Sequence, residues 1–279
     1  MDSDLENTHP PEKPRGWVAT LGRDVDLAFA DVPLLASCFV SGVCESITLT
    51  AASVFVSMQT GNTLYLALGA AQIPVDQPLL WLRCLASMSS FWAGCLVFSH
   101  GARLLGPRRK LSLSLSFALQ SALVCAAAAL SQSGVVPTFA QRLLGDQTPA
   151  DRAAVVLRRE NDAMVVVPIV LLAFQFGGQI VASRSLGFNE VPTNVLTSVY
   201  CDLLSDPKIL APPRENPKRN RRVAAVLLLA AGGLTGGFLQ RSAAGMSAAL
   251  WVAAAVKMGI AVAWLPWKVK EEEPQGEKR

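Results

Sequence analysis

The sequence predicts an all-α polytopic transmembrane bundle of about six spans, with two short re-entrant helices and an inverted internal repeat. Three observations carry this reading. From about Pro33 to Trp267 the chain is a succession of long apolar runs, and roughly 18 or more apolar residues in a row can cross a bilayer core as a helix. Charged residues make up 16% of the chain against 51% hydrophobic, where a soluble domain carries about 25% charge. The charges that do exist gather in the two ends and in a few loops.

Residues 33–50 form the first run, and Pro33 suits an opening helical position, where its missing N–H costs nothing. Residues 57–71 follow, too short and polar for a comfortable crossing. Residues 79–105 and 111–130 are long enough to span, as are 164–183, 223–239 and 247–266. Residues 192–204 make a second short polar element. Trp81 with Arg83, and Trp264 and Trp267 with Lys268, read as interfacial anchors.

The loops bear on orientation, because basic residues beside membrane ends favour the cytosolic side. Arg103, Arg108, Arg109 and Lys110 form one basic knot. Lys208, Arg214, Lys218, Arg219, Arg221 and Arg222 form another. With both knots inside, 57–71 and 192–204 cannot both cross; they dip in and return, leaving six spans and both termini in the cytosol. The 131–162 loop opposes this, since it holds Arg142, Arg152, Arg158 and Arg159 yet would lie outside. Eight full crossings would bring it inside.

The domain plan is a disordered cytosolic tail over 1–32, a transmembrane domain over 33–268 with halves of about 33–131 and 163–268, and a charged tail over 269–279. The start lacks the basic n-region and apolar core of a secretory signal. None of the six cysteines falls in a metal-ligating spacing, and five of them sit inside apolar runs. His9 and His100 are the only histidines, and the HExxH, GxSxG and P-loop patterns are missing. The expectation is a protein that is not an enzyme, binds no cofactor or metal, and takes no nucleic acid.

The two halves show a faint internal repeat. Thr60 resembles Thr193, and Arg83 and Gly94 match Arg222 and Gly233 at a common offset. Each half then reads as span, short polar helix, span, span. An odd number of spans per half inverts the second half, as in many transporters.

Residues 39–69, FVSGVCESITLTAASVFVSMQTGNTLYLALG, resemble the signature region of the YoaK family of integral membrane proteins, which carry a domain of unknown function. Phe39, Gly42, Phe55, Val56, Thr60, Gly61 and Asn62 match that family's pattern. Glu45 stands where the family has Asp. Gly177, Gln179, Arg184, Thr193 and Thr197 match its second region. The resemblance spans about Pro33 to Trp267 and implies a fold more than a biochemistry.

Several polar residues lie in apolar surroundings. Glu45, central in the first span, reads either as a proton- or cation-coupling site or as half of an ion pair with Lys257, in the middle of the last span. Gln175 and Gln179 share a helix face. Thr60, Gly61 and Asn62, with Thr193, fall where the short helices should start, and a half-helix inside a membrane presents free N–H groups to an anion or polar solute. Gly232, Gly233, Gly236 and Gly237 give overlapping GxxxG spacings that suit packing within the bundle, or a homo-oligomer contact.

The functional expectation is a small-solute transporter or channel of unknown substrate in the lipid bilayer. Its path is lined by Glu45, Thr60, Gly61, Asn62, Gln175, Gln179, Thr193 and Thr197. The alternative is a non-transporting membrane scaffold or assembly factor.

Overall fold

In the computed structural model the structure describes residues 20–140, 153–154, 157, 160 and 162–270. The first 19 residues of the acidic tail, the tail 271–279, and the 131–162 loop's Arg142, Arg152, Arg158 and Arg159 lie outside the described residues.

Among the described residues eight named α-helices follow in order: α1 Asp31–Ala52, α2 Gln59–Ala70, α3 Leu80–Leu105, α4 Lys110–Ser133, α5 Val166–Leu186, α6 Thr197–Leu204, α7 Pro217–Arg241 and α8 Gly245–Ala263. A 3-10 turn, Ala163–Val165, leads into α5. Six of these helices are long and apolar enough to cross a membrane; α2 and α6 are not. At 1.5 Å per residue their 12 and 8 residues reach about 18 and 12 Å, short of the roughly 30 Å hydrocarbon core. This is an integral membrane protein of six candidate spans.

Contacts between helix ends fix the two faces of the bundle. Arg221, the fifth residue of α7, bonds Asp31, the first residue of α1, at 2.7 Å. Arg108, between α3 and α4, donates to the Ser185 carbonyl near the end of α5, and the Lys270 amide beyond α8 donates to the Asp24 carbonyl. One face therefore holds the starts of α1, α4 and α7 with the ends of α3, α5 and α8, and both described chain ends lie on it. We call it the terminal face. At the opposite face Arg83 of α3 meets Glu160 ahead of α5, and Trp251 of α8 donates to Gln132 near the end of α4.

The first half thus enters from the terminal face and the second half from the opposite one, which is the inverted repeat. The packing follows the same two-fold relation: α1 lies along α7, α3 along α5, and α4 along α8. Glycines set both equivalent crossings. A Cβ on Gly42 would collide with the Leu229 carbonyl and lie 2.6 Å from the Gly233 nitrogen, and one on Gly232 would collide with the Phe39 carbonyl. In the other half a Cβ on Gly177 would lie 2.6 Å from both the Phe91 oxygen and the Cys95 nitrogen, and one on Gly94 would collide with the Phe174 carbonyl. Phe39 and Gly42 thus correspond to Phe174 and Gly177, while Phe91, Gly94 and Cys95 correspond to Leu229, Gly232 and Gly233. The sequence match of Gly94 to Gly233 was one residue out, because composition cannot tell which of two adjacent glycines faces the partner helix. Arg83 likewise corresponds to Arg221 rather than Arg222.

Two boundaries differ from the sequence reading. The α7 helix begins at Pro217, not near Val223, because Pro217 opens it and the Asn216 side chain accepts from the Arg219 amide. The basic run is therefore helical. Residues 20–30, expected in the disordered tail, pack against the bundle: Val25 and Ala30 are buried, and the Val25 and Asp26 amides donate to the Arg108 and Lys268 carbonyls. Trp267 donates its indole N–H to the Asp26 carbonyl and Trp264 is fully buried. These tryptophans pin the N-terminal segment instead of anchoring in lipid headgroups.

Candidate functional site

Both short helices begin in the interior. α1 ends in a left-handed Ser53 (φ 57°) and α5 in a left-handed Gly187 (φ 85°), and each reversal sends the chain back down the side of the helix it has just left. Residues 53–58 return to the level of Glu45, seven residues before the end of α1. There the backbone N–H groups of Val56, Ser57 and Met58 donate to Glu45 Oε1 at 3.2, 2.6 and 3.2 Å. The carboxylate sits at the positive start of α2 and satisfies amides that an apolar interior would leave bare.

Asn62 fastens the same segment. Its side-chain oxygen accepts from the Phe55 amide, and its nitrogen donates to the Phe55 carbonyl and to Gln59 Oε1. Ser87 of α3 donates to the Phe55 carbonyl at 2.7 Å. Gly61 is a glycine because a Cβ there would lie 2.6 Å from a ring carbon of Phe55.

The second half repeats the plan with different chemistry. Residues 188–196 return to the level of Gln179. Thr193, in the left-handed region (φ 64°), turns its carbonyl to accept from Ser41 Oγ at 2.9 Å. Asn194 accepts from Gln179 Nε2 and donates to the Phe176 carbonyl. Gln179 Oε1 then accepts from the Lys257 ammonium at 2.5 Å, and Gln120 Oε1 of α4 accepts from it at 2.6 Å. The ammonium also lies 5.3 and 5.6 Å from the ring centres of Phe117 and Phe176. Lys257 is fully buried.

The expected ion pair between Glu45 and Lys257 is not formed. Glu45 is taken up by three backbone amides and Lys257 by two side-chain amides. Helix spacing revealed both residues but not the re-entrant backbone that takes Glu45 or the glutamine amides that take Lys257. The same amides occupy the half-helix start that the sequence offered to an anion: at α2 the protein supplies its own carboxylate.

Of the residues expected to line a path, Glu45, Asn62, Gln175, Gln179 and Thr193 are buried in this region, with Gly61 half-buried beside Phe55. Thr60 and Thr197 are exposed on the bundle surface, apart from the network. They lie in or beside half-helix first turns whose inner faces belong to Asn62 and Val199. Among the glycines of α7, Gly232 and Gly236 press on α1, while a Cβ on Gly233 would only graze the Gly42 carbonyl at 4.0 Å and one on Gly237 would meet nothing within 4 Å.

Sequence reasoning missed the two ion pairs that tie the halves at opposite faces. Arg83, nearly buried, donates to Glu160 at 2.5 Å. Its counterpart Arg221 bonds Asp31 at 2.7 Å and Glu190 at 2.9 Å. The only sequence signal was the paired position of the arginines; Asp31 is 190 residues from its partner. Beside Arg221, Arg222 faces Asp202 and Asp206. The Asn216 side chain and the Lys208 amide hold the Asp206 carboxyl below its ordinary range.

A family model described as "Protein of unknown function (DUF1275)" matches residues 34–263, from the fourth residue of α1 to the end of α8. The chain belongs to this family. The match covers both inverted halves and every residue of the buried network. No curated protein and no solved structure matched the chain.

Proposed function

We propose that this DUF1275 protein is a small-solute transporter whose path follows the buried polar seam between its inverted halves. The observation that carries the reading is the pair of re-entrant segments. Irregular backbone inside a membrane is tolerated where protein buries it or where it lines a solute path, and paired broken elements at mid-depth in inverted halves are the usual seat of a transporter site. A carboxylate on α1 meets one such segment and an ammonium on α8 stands beside the other, at a depth where each costs several kcal/mol in hydrocarbon.

The two cross-half ion pairs fit alternating access. Arg83–Glu160 closes the opposite face and Arg221–Asp31 the terminal face, so a conformation open on one side would break one latch and keep the other. The charge pattern sets the orientation we favour: the terminal face gathers Arg108, Arg109, Lys110, Arg184 and the 208–222 group, while the opposite face, among the described residues, holds Arg83 and Arg241. By the positive-inside rule the terminal face, with both chain ends, is cytosolic. The reading assigns no catalytic step and no cofactor; its partners are the bilayer and a small solute.

The test is uptake into proteoliposomes across a panel of labelled small anions, cations and neutral solutes. Saturable uptake of at least one, reduced tenfold or more by Glu45→Gln or Asn62→Ala, supports the path. Uptake unchanged in both variants places the path elsewhere. One observation favours a second reading, a non-transporting scaffold or assembly factor: three surface clefts, of about 170, 720 and 360 Å³, lie toward the ends of the bundle, and none of them is lined by Glu45, Gln179 or Lys257. Absence of uptake for the whole panel by a correctly folded protein would select that reading.

A further inference from the structure

The two halves carry opposite chemistry at equivalent places, and only one is electrically complete. In the first half the Glu45 carboxylate lies at the start of α2, three residues beyond Gly42, with all its company made of N–H donors. In the second half the equivalent level, two residues beyond Gly177, is held by the neutral amide of Gln179. The start of α6 there has no side-chain cap. Beside it stands Lys257, whose ammonium is met by Gln120 and Gln179 oxygens and by the faces of Phe117 and Phe176. From α1, the nearest acidic group is Glu45, and its oxygens are committed to the amides of the re-entrant segment. No salt bridge reaches Lys257 among the described residues. A buried ammonium without a counter-charge is costly, whereas a paired one is tolerated.

A second observation points to a ligand. Gln175 lies one turn before Gln179 on the same face of α5, is fully buried, and has neither its oxygen nor its nitrogen hydrogen-bonded. A buried amide left with both ends unpaired is rare in a finished interior. It stands one turn along α5 from Gln179, whose oxygen meets the Lys257 ammonium.

We propose that the second half's re-entrant seam is a binding site for a small monovalent anion, held by the Lys257 ammonium and the Gln175 amide at the level where the first half carries its own Glu45 carboxylate. This rests on the transport reading and names its solute class. One ammonium calls for one negative charge, and a site whose side chains are all fully buried suits an anion no larger than a halide, nitrate or a short monocarboxylate. Cations are repelled by Lys257.

The test uses the full chain purified in detergent. Its thermal unfolding is followed in sodium chloride, nitrate or acetate against sodium gluconate at constant ionic strength, with the small anion raised to about 100 mM, enough to fill a millimolar site. The expected result is a saturable rise in Tm for at least one small anion. Lys257→Met should abolish the anion dependence, Gln175→Leu should weaken it several-fold, and Gly237→Ala, where a Cβ would meet nothing within 4 Å, should leave it in place. A purely structural role for Lys257 would shift Tm equally in every salt. If Lys257→Met does not fold, Gln175→Leu decides, since it changes no charge. No anion response in the wild type, or a response undiminished in these variants, overturns the proposal. Anion stabilisation without proteoliposome uptake keeps the site and removes the transport reading; uptake without anion stabilisation does the reverse.

Discussion

Glu45 offers a graded experiment, because three substitutions remove different parts of one arrangement. Oε1 accepts the amides of Val56, Ser57 and Met58 at 3.2, 2.6 and 3.2 Å. Glu45→Ala leaves all three donors without an acceptor in a region closed to water. Each buried unsatisfied group costs about 1–3 kcal/mol, so the loss is about 3–6 kcal/mol once residues 53–58 relax. Glu45→Gln keeps an oxygen at the Oε1 position and removes only the charge assistance, about 1–2 kcal/mol, partly offset by the easier burial of a neutral amide. Glu45→Asp keeps the charge but withdraws it by one methylene, about 1.5 Å, which stretches the 2.6 Å bond from Ser57 beyond reach unless the segment follows; it should fall between the other two. With about 2–4 °C of Tm per kcal/mol for a chain approaching this size, Glu45→Ala should unfold roughly 6–24 °C below wild type and Glu45→Gln within about 4 °C. Tryptophan fluorescence during thermal unfolding in detergent reads the series. If Ala and Gln fall equally far, the charge and not the acceptor geometry holds the segment, and the reasoning is wrong. If Ala is neutral, Glu45 does not hold the segment at all.

Three further outcomes follow from the same geometry. Gly232→Ala and Gly94→Ala each drive a Cβ into a backbone carbonyl of the crossing helix and should each cost about 1–3 kcal/mol of overpacking; Gly237→Ala, which meets nothing within 4 Å, should leave the Tm within about 1 °C. Arg83→Ala should expose the opposite face and make the buried Cys84 beside it reactive to maleimide, while Arg221→Ala should do the same for Cys38 near the terminal face; reagent reaching both thiols equally in either single variant would contradict separate latches. Thr60→Ala and Thr197→Ala, on exposed surface, should leave both stability and any uptake unchanged, and a large loss from either would return them to the path.

The sequence resolved what local pattern governs. Apolar run length marked the six spans, and the shortness and polarity of 57–71 and 192–204 marked the re-entrant elements, because burial against lipid acts on contiguous residues. It also flagged Glu45, Gln179 and Lys257, since charge and amides stand out in an apolar helix. Partners were illegible. Nothing local to Glu45 says that the chain eleven to thirteen residues on will fold back and offer its amides, so Lys257 looked like the natural mate. The Arg221–Asp31 contact closes across most of the chain, and Arg83 resembled an interfacial anchor until Glu160 arrived from the other half. Thr60 and Thr197 failed for a simpler reason: a motif position gives residue type but not which side of a one- or two-turn helix faces inward.

The inverted arrangement is the claim on which the seam, the latches and the anion site all depend, and relative sidedness tests it directly. Single cysteines at Asp76, between α2 and α3, and at Asp206, between α6 and α7, would be introduced into a protein lacking native cysteines. Their labelling by a membrane-impermeant maleimide would be compared in intact cells and inverted vesicles. The account predicts opposite sides, with position 206 sharing the side of a control cysteine at Arg108 and position 76 facing away. Positions 76 and 206 labelled from the same side, both facing away from Arg108, would mean that α6 crosses completely, and the second half's re-entrant seam would not exist.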